Sequence, residues 1–138
     1  MGSGAAFAAG KFTQYKVADS FCGVKLIVPT NKKKLRNTPM HSHTPNTMYM
    51  KSDTETEVID QIAVYKDNNK IKDIDWSHDH FGIHIDGVHV HDYINGAKIK
   101  KPRKPTDEEL ALAKAVMAED DKRRPHRLRH KVKEDEDG

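Results

Sequence analysis

The residues richest in chemistry here are histidines. The chain has 9 of them, against 1 Trp, 4 Tyr and 4 Phe, so imidazole is used more freely than core aromatics. His78, His80, His84, His89 and His91 fall in one stretch, with Asp73 and Asp75 just upstream. Imidazole changes charge near neutral pH, and its neutral form binds transition metals. Imidazoles held close together cannot all be protonated, so their titrations are coupled. Three outcomes are open. A neutral and a cationic His make a general acid–base pair. With RNA, the base takes the ribose 2′-hydroxyl proton, the acid protonates the leaving 5′-oxygen, and a Lys or Arg steadies the phosphate. Alternatively, His78, His80, His89 and His91 are ligands for zinc or another divalent transition metal, because His-x-His on a strand puts two nitrogens on one face. The third outcome is an ordinary polar strand face. For one histidine that is the better reading; for the whole cluster it is not, because paired imidazoles add repulsion without structural gain.

Other chemistry is thinner. The helical His-Glu-x-x-His signature, a Gly-rich phosphate loop, a Gly-x-Ser-x-Gly elbow and a dinucleotide fingerprint are all absent. Cys22 is the only cysteine, which excludes a disulfide scaffold and Cys-rich zinc motifs and fits a reducing compartment. It reads as a small buried hydrophobe. His41-Ser42-His43 sits in a loop, and His126 and His130 sit in the tail.

Strands must position the cluster. The run Gly82 to His91 centres on Asp86-Gly87, the chemistry of a two-residue hairpin turn. With that turn, His84 faces His89. Ile83, Ile85, Val88 and Val90 point to the core, and His84, His89 and His91 share the other face, joined by His78, His80 and Tyr93. Upstream, Glu57 to Tyr65 is β-rich, Asp67-Asn68-Asn69 is turn chemistry, and Ile71 to Trp76 alternates. That alternation sets Ile74 and Trp76 against Asp73 and Asp75, which orient imidazoles or simply line a polar face. Phe21 to Val28 reads as one further strand, and Pro29 to Pro45 as loop.

The ends differ in composition. Residues 1–10 read as a flexible leader of small residues, without the pattern of a secretory or myristoylation signal. The His-rich β domain spans 11–98, and 99–105 is a basic, proline-broken linker. A capping box at Thr106 and Glu109 opens a helix over 106–121, which Pro125 ends. Residues 122–138 form a basic, then acidic tail. With 36% hydrophobic and 33% charged residues and a mean hydropathy of −0.84, the chain holds one small core and no membrane span. A net charge of +3 permits nucleic-acid binding without demanding it.

Several of these pieces resemble a known group. They are Thr44-Pro45-Asn46-Thr47, the run from Val64 to Asp75, His78, and His89-Val90-His91. The group comprises small proteins and C-terminal domains of Gram-positive bacteria and their phages, some behind phage minor-head proteins. Some are classed among polymorphic toxins of the barnase–EndoU–colicin–RelE fold. Its pattern is Thr-Pro-Asn, a Tyr-Asp-x-x-Gly-Lys hairpin, Asp-Ile-Asp, a His, and Pro-His-x-His. The resemblance covers roughly Pro39 to Tyr93. Asn69 replaces the turn glycine and Val88 the proline. Carried over, Asp73, Asp75, His78, His89 and His91 are motif positions, while His80 and His84 are local additions.

The resemblance implies a small antiparallel sheet with a flanking helix and metal-independent RNA cleavage. The expectation is an α+β domain: a small antiparallel sheet of two β-hairpins, a peripheral C-terminal helix and disordered ends. Its leading function is a phage- or toxin-associated ribonuclease, a hydrolase without cofactor. His89 and His91 form the acid–base pair, assisted by His78 or His80. RNA is the substrate, an immunity protein or phage structural proteins are partners, and the setting is a bacterial host's cytoplasm or a phage. Two alternatives stay open: a non-catalytic phage accessory protein holding a metal on the His-x-His face, and a basic-tailed nucleic-acid-binding module.

Overall fold

The computed structural model describes residues 15–30, 37–53, 55–76 and 87–137, with side chains as far as 128. The expected leader (1–10) and His78, His80 and His84 lie outside the described residues. Seven strands form one sheet in chain order. They are β1 (Tyr15–Phe21), β2 (Val24–Pro29), β3 (Met48–Ser52), β4 (Ile59–Lys66), β5 (Asn69–Asp75), β6 (His89–Ile94) and β7 (Ala97–Lys98). Neighbours are antiparallel except β2 and β3, which run parallel. One long helix, α1 (Asp107–Asp137), follows. The class is α+β, with a sheet larger than two hairpins. Among the described residues no helix is long and apolar enough to cross a membrane.

The turns explain what the sequence reading missed. Cys22 (φ 56°) and Gly23 (φ 74°) are both left-handed and close β1 onto β2. That is a type I′ geometry, and it splits the single strand expected over Phe21 to Val28. Cys22 is therefore exposed at a turn tip, not the small buried hydrophobe expected. Asn95 (φ 52°) and Gly96 (φ 81°) repeat the geometry between β6 and β7. Asn-Gly is a strong signal for such a turn, yet the sequence reading put the turn at Asp86-Gly87, and Asp86 lies outside the described residues. The hairpin at Asp67 forms between β4 and β5, with Asp67 left-handed at φ 54°.

Alternation gives the sheet two different faces. On one, Val24, Leu26, Met50, Ile62, Ile74 and Val90 meet Ala113 and Val116 of α1. Trp76 joins that core and donates its Nε1–H to the Ile59 carbonyl at 2.9 Å. The buried seam of α1 is Glu109, Ala113, Val116 and Asp120, a spacing of four, three and four that keeps one helix face inward. Its middle is small, which lets the helix lie close to the sheet. Its ends are carboxylates, and each has basic partners. Glu109 receives Arg103 at 2.8 Å and Lys72 at 2.7 Å. Asp120 receives Arg124 at 3.0 Å, Arg127, and the backbone N–H of Ile59 at 3.0 Å.

These contacts correct two expectations about the C-terminal region. Arg103 sits within the proposed linker, yet its backbone pairs with Val90 and its guanidinium holds Asp92 at 2.7 Å. The helix does not end near residue 121 but runs through Pro125 to Asp137. A proline inside a helix costs about 3 kcal/mol through the lost N–H bond and ring clash. Here Arg124 and Arg127, on either side of Pro125, both hold Asp120, bridging the turn that the proline weakens.

Hydrogen bonding from Arg103, then from Lys72 and Thr106, holds the Glu109 carboxyl well below the usual carboxylate range. A depressed folded-state value means that this group stabilises the fold above its unfolded value of about 4.3 and loses that contribution as pH falls further. Glu109→Gln is expected to cost about 2 kcal/mol at neutral pH. In urea unfolding across pH, the gap from wild type should narrow below about pH 4; a gap independent of pH would refute the assignment.

Candidate functional site

The other sheet face carries the chemistry, and register explains why. Asp75 of β5 lies directly opposite Gln61 of β4 and His89 of β6. One step along, Asp73 lies opposite Ala63 and His91. Directly paired residues of an antiparallel ladder share a face, so two rows cross the sheet: Gln61–Asp75–His89 and Ala63–Asp73–His91. Tyr93 extends the face along β6, and Val90 between the histidines is fully buried on the helix side. Alternation together with the β5–β6 pairing places Asp73, Asp75, His89, His91 and Tyr93 on one face; the sequence reading set the aspartates on one polar face and His89, His91 and Tyr93 on another, without joining the two strands. The strand opposite His89 is β5, where that reading put His84.

Asp75, His89 and His91 converge. One ligand atom from each lies within 4.8 Å of the others. Asp75 Oδ2 is 3.8 Å from His89 Nε2 and 3.9 Å from His91 Nε2. Both distances exceed a hydrogen bond, so the carboxylate oxygen is nearly equidistant from two nitrogens and bonded to neither. The rings stand nearly perpendicular, with centroids 5.2 Å apart. His89 Nδ1 lies 2.8 Å from the Gly87 carbonyl. A carbonyl only accepts, so Nδ1 carries the proton, and a neutral ring then leaves the Nε2 lone pair bare. His91 is more shielded, its side chain 13% exposed against 43% for His89. Its Nδ1 is buried without a hydrogen-bond partner among the described residues.

A polar network behind these residues fixes the carboxylate. The crossover from β2 to β3 lies over this face, and its described part, 37–47, supplies Thr38. Thr38 donates from its backbone N–H at 3.1 Å and its hydroxyl at 2.9 Å to Gln61 Oε1. That sets the amide, so Gln61 Nε2 donates to Asp75 Oδ1 at 2.7 Å. Asp75 Oδ2 is then the oxygen turned to the histidines. Next to it, Asp73 is buried and takes Lys70 Nζ at 3.0 Å, Tyr93 Oη at 2.7 Å and Thr38 Oγ1 at 3.3 Å. Burial pushes the Lys70 ammonium below its ordinary value, while Asp73 pulls the other way. Burial, and then the bond to Asp73, raises the Tyr93 phenol.

Comparison with protein-family models, with curated proteins and with solved structures finds no match for this chain. Asn46 of Thr-Pro-Asn is left-handed, φ 52°. Its N–H donates to the Asp67 carbonyl at 2.7 Å, and its Oδ1 accepts from the Asp67 N–H at 2.8 Å. The motif therefore clamps the β4–β5 turn. Asp73 is the counter-ion of a buried lysine, and the converging acid is Asp75. His41 bonds Asn69 at 3.0 Å, and His43 lies 5.1 Å from the Tyr15 ring; neither belongs to the group around Asp75.

Sequence reasoning missed Lys70, Gln61 and Thr38. Lys70 had a signal, the hairpin lysine of the motif. A bulge conceals its direction: Val64 pairs with Lys72 and Tyr65 with Lys70, leaving Ile71 as the extra residue. The bulge brings Lys70 round to the face of Asp73. Gln61 and Thr38 meet only through the crossover and leave no local pattern.

Lys70→Met leaves Asp73 buried without its cation and is expected to cost about 3–5 kcal/mol in urea unfolding. Lys70→Met with Asp73→Leu should recover most of that loss, because replacing both buried charges by apolar groups is commonly near neutral. A double variant as unstable as the single would refute a paired role for Lys70.

Proposed function

We propose that this protein cleaves RNA by histidine acid–base chemistry, in the manner implied by its resemblance to phage- and polymorphic-toxin-associated domains. The observation that carries this reading is the unequal imidazole pair on one face, His89 with its Nδ1 proton fixed on a carbonyl and His91 shielded beside Asp75. His89 Nε2 is the base and His91 the acid.

The substrate class follows from the chemistry. Two imidazoles acting without a metal supply proton transfer and no nucleophile. RNA brings its own nucleophile, the 2′-hydroxyl beside the phosphate, and DNA does not. His89 takes the 2′-hydroxyl proton, the 2′-oxygen attacks phosphorus, and the 5′-oxygen leaves with a proton from His91. Asp75 faces both rings and favours positive charge between them. Lys70 is committed to Asp73. The phosphate contact falls instead to Lys98, which is exposed and pairs with Tyr93 across β6 and β7. A bacterial host's cytoplasm or a phage is the setting the resemblance implies, with an immunity protein or phage structural proteins as partners.

Purified protein is expected to cleave single-stranded RNA in EDTA and to leave the matching DNA intact. His89→Ala and His91→Ala should each lower the rate by about 100-fold or more, with circular dichroism unchanged. Full activity in either variant, or equal cleavage of DNA, would overturn the reading.

A further inference from the structure

We infer that Asp75, His89 and His91 form a binding site for a divalent transition ion of the zinc class, and that the ion competes with acid–base use of the same two imidazoles. The sequence-based ligand set, His78 and His80 with His89 and His91, holds no carboxylate. The geometry puts Asp75 into the set through its place opposite His89 in the ladder.

The inference stands first on distances. A tetrahedral zinc ion lies about 2.0–2.1 Å from its ligand atoms, which sets those atoms about 3.4 Å apart. Asp75 Oδ2 lies 3.8 and 3.9 Å from the two Nε2 atoms, and all three ligand atoms fall within 4.8 Å of one another. Small rotations of the side chains close the difference. Direct Asp–His hydrogen bonds would instead draw the oxygen to about 2.7–3.2 Å from a nitrogen, which neither ring shows. Two imidazoles and one carboxylate also suit borderline ions such as Zn²⁺, Fe²⁺ and Co²⁺, and poorly suit Mg²⁺ or Ca²⁺, which prefer oxygen.

The surroundings supply independent support. Metal-binding histidines usually donate their other ring N–H to a carbonyl or carboxylate, and ligating carboxylates are themselves hydrogen-bonded. His89 Nδ1 is on the Gly87 carbonyl at 2.8 Å. Asp75 Oδ1 accepts from Gln61 at 2.7 Å, and Thr38 orients that amide. The two bonds aim one nitrogen and one oxygen into the same space. Three protein ligands leave room for a water or a substrate oxygen.

Binding captures the Nε2 lone pair that His89 needs as a base. The effect on cleavage rests on the acid–base reading above; the binding site itself does not. The experiment therefore has two arms on the full chain. Zn²⁺ titration by calorimetry and Co²⁺ titration by visible absorption read the site, and RNA cleavage with and without added Zn²⁺ reads its consequence. One ion per chain is expected, with intense low-symmetry Co²⁺ bands. Asp75→Asn, His89→Gln and His91→Ala should each weaken Zn²⁺ binding by about 100-fold, and Gln61→Leu by about 10-fold. His41→Ala should leave binding unchanged, and added Zn²⁺ should slow cleavage. Absence of binding, or binding untouched by those three substitutions, overturns the site. Binding accompanied by faster cleavage overturns the competition. If no RNA is cleaved under any condition, the acid–base reading fails while the Co²⁺ spectrum still decides the site.

Discussion

Everything on the histidine-bearing face depends on the register between β5 and β6. Asp75 against His89 and Asp73 against His91 is one alignment of two short strands. A slip by one residue would turn both histidines toward the helix and bring Val90 into water. The register is pinned from the helix side, because Val90 and Ile74 are opposite each other and fully buried there. Apolar packing on one face thus holds the polar geometry of the other. Arg103 adds a second hold, pairing with the backbone of Val90 from the outer side of β6.

A sheet with two such different faces needs two different covers. The apolar side has α1, fitted by Ala113 and Val116 and fixed at each end by a buried carboxylate with basic partners. The polar side is partly covered by the β2–β3 crossover. That crossover answers the buried donors and acceptors directly: Lys70 donates to the Thr38 carbonyl at 2.9 Å, and Tyr65 donates to that of Pro39. Buried polar groups are costly when left unmatched, and the network from Lys70 through Asp73, Thr38 and Gln61 to Asp75 leaves few of them so. On this face His91 Nδ1, at the converging site, is left without a partner among the described residues, as is Arg127 Nη1 of α1.

Much of this was legible in the sequence where a pattern is local. Alternation in Asp73 to Trp76 and in His89 to Tyr93 gives the correct faces for Ile74, Trp76, both aspartates, both histidines and Tyr93. The capping box is real: Thr106 N–H donates to Glu109 at 2.8 Å, and the Glu109 N–H to Thr106 Oγ1 at 3.2 Å. Long-range choices were not legible. Nothing local says that β6 takes β5 as its neighbour, that Asp120 caps the start of β4 from a distant helix, or that β2 meets β3 in parallel. Pro125 misled because its cost is local while Arg124 and Arg127, which offset it, bond across it to Asp120, four and seven residues before them. Cys22 misled because its left-handed backbone is set by the β1–β2 hairpin and not by its own preference.

The extra residue in β5 has a consequence for how this strand tolerates change in length. Ile71 is exposed and bonds nothing in the Lys70–Asp73 network, so its identity is nearly free. Its removal is tolerated as well, but a further addition is not. Deleting Ile71 would leave Lys70 two residues before Asp73 on an evenly pleated strand and so still on its face. Inserting one more residue there would instead turn the ammonium to the opposite face, the side of Ile62, Ile74 and Val90. A one-codon insertion at an unremarkable surface position would thus strip a buried aspartate of its cation and turn that cation toward the apolar core. The spacing of this strand carries more information than the residue that maintains it.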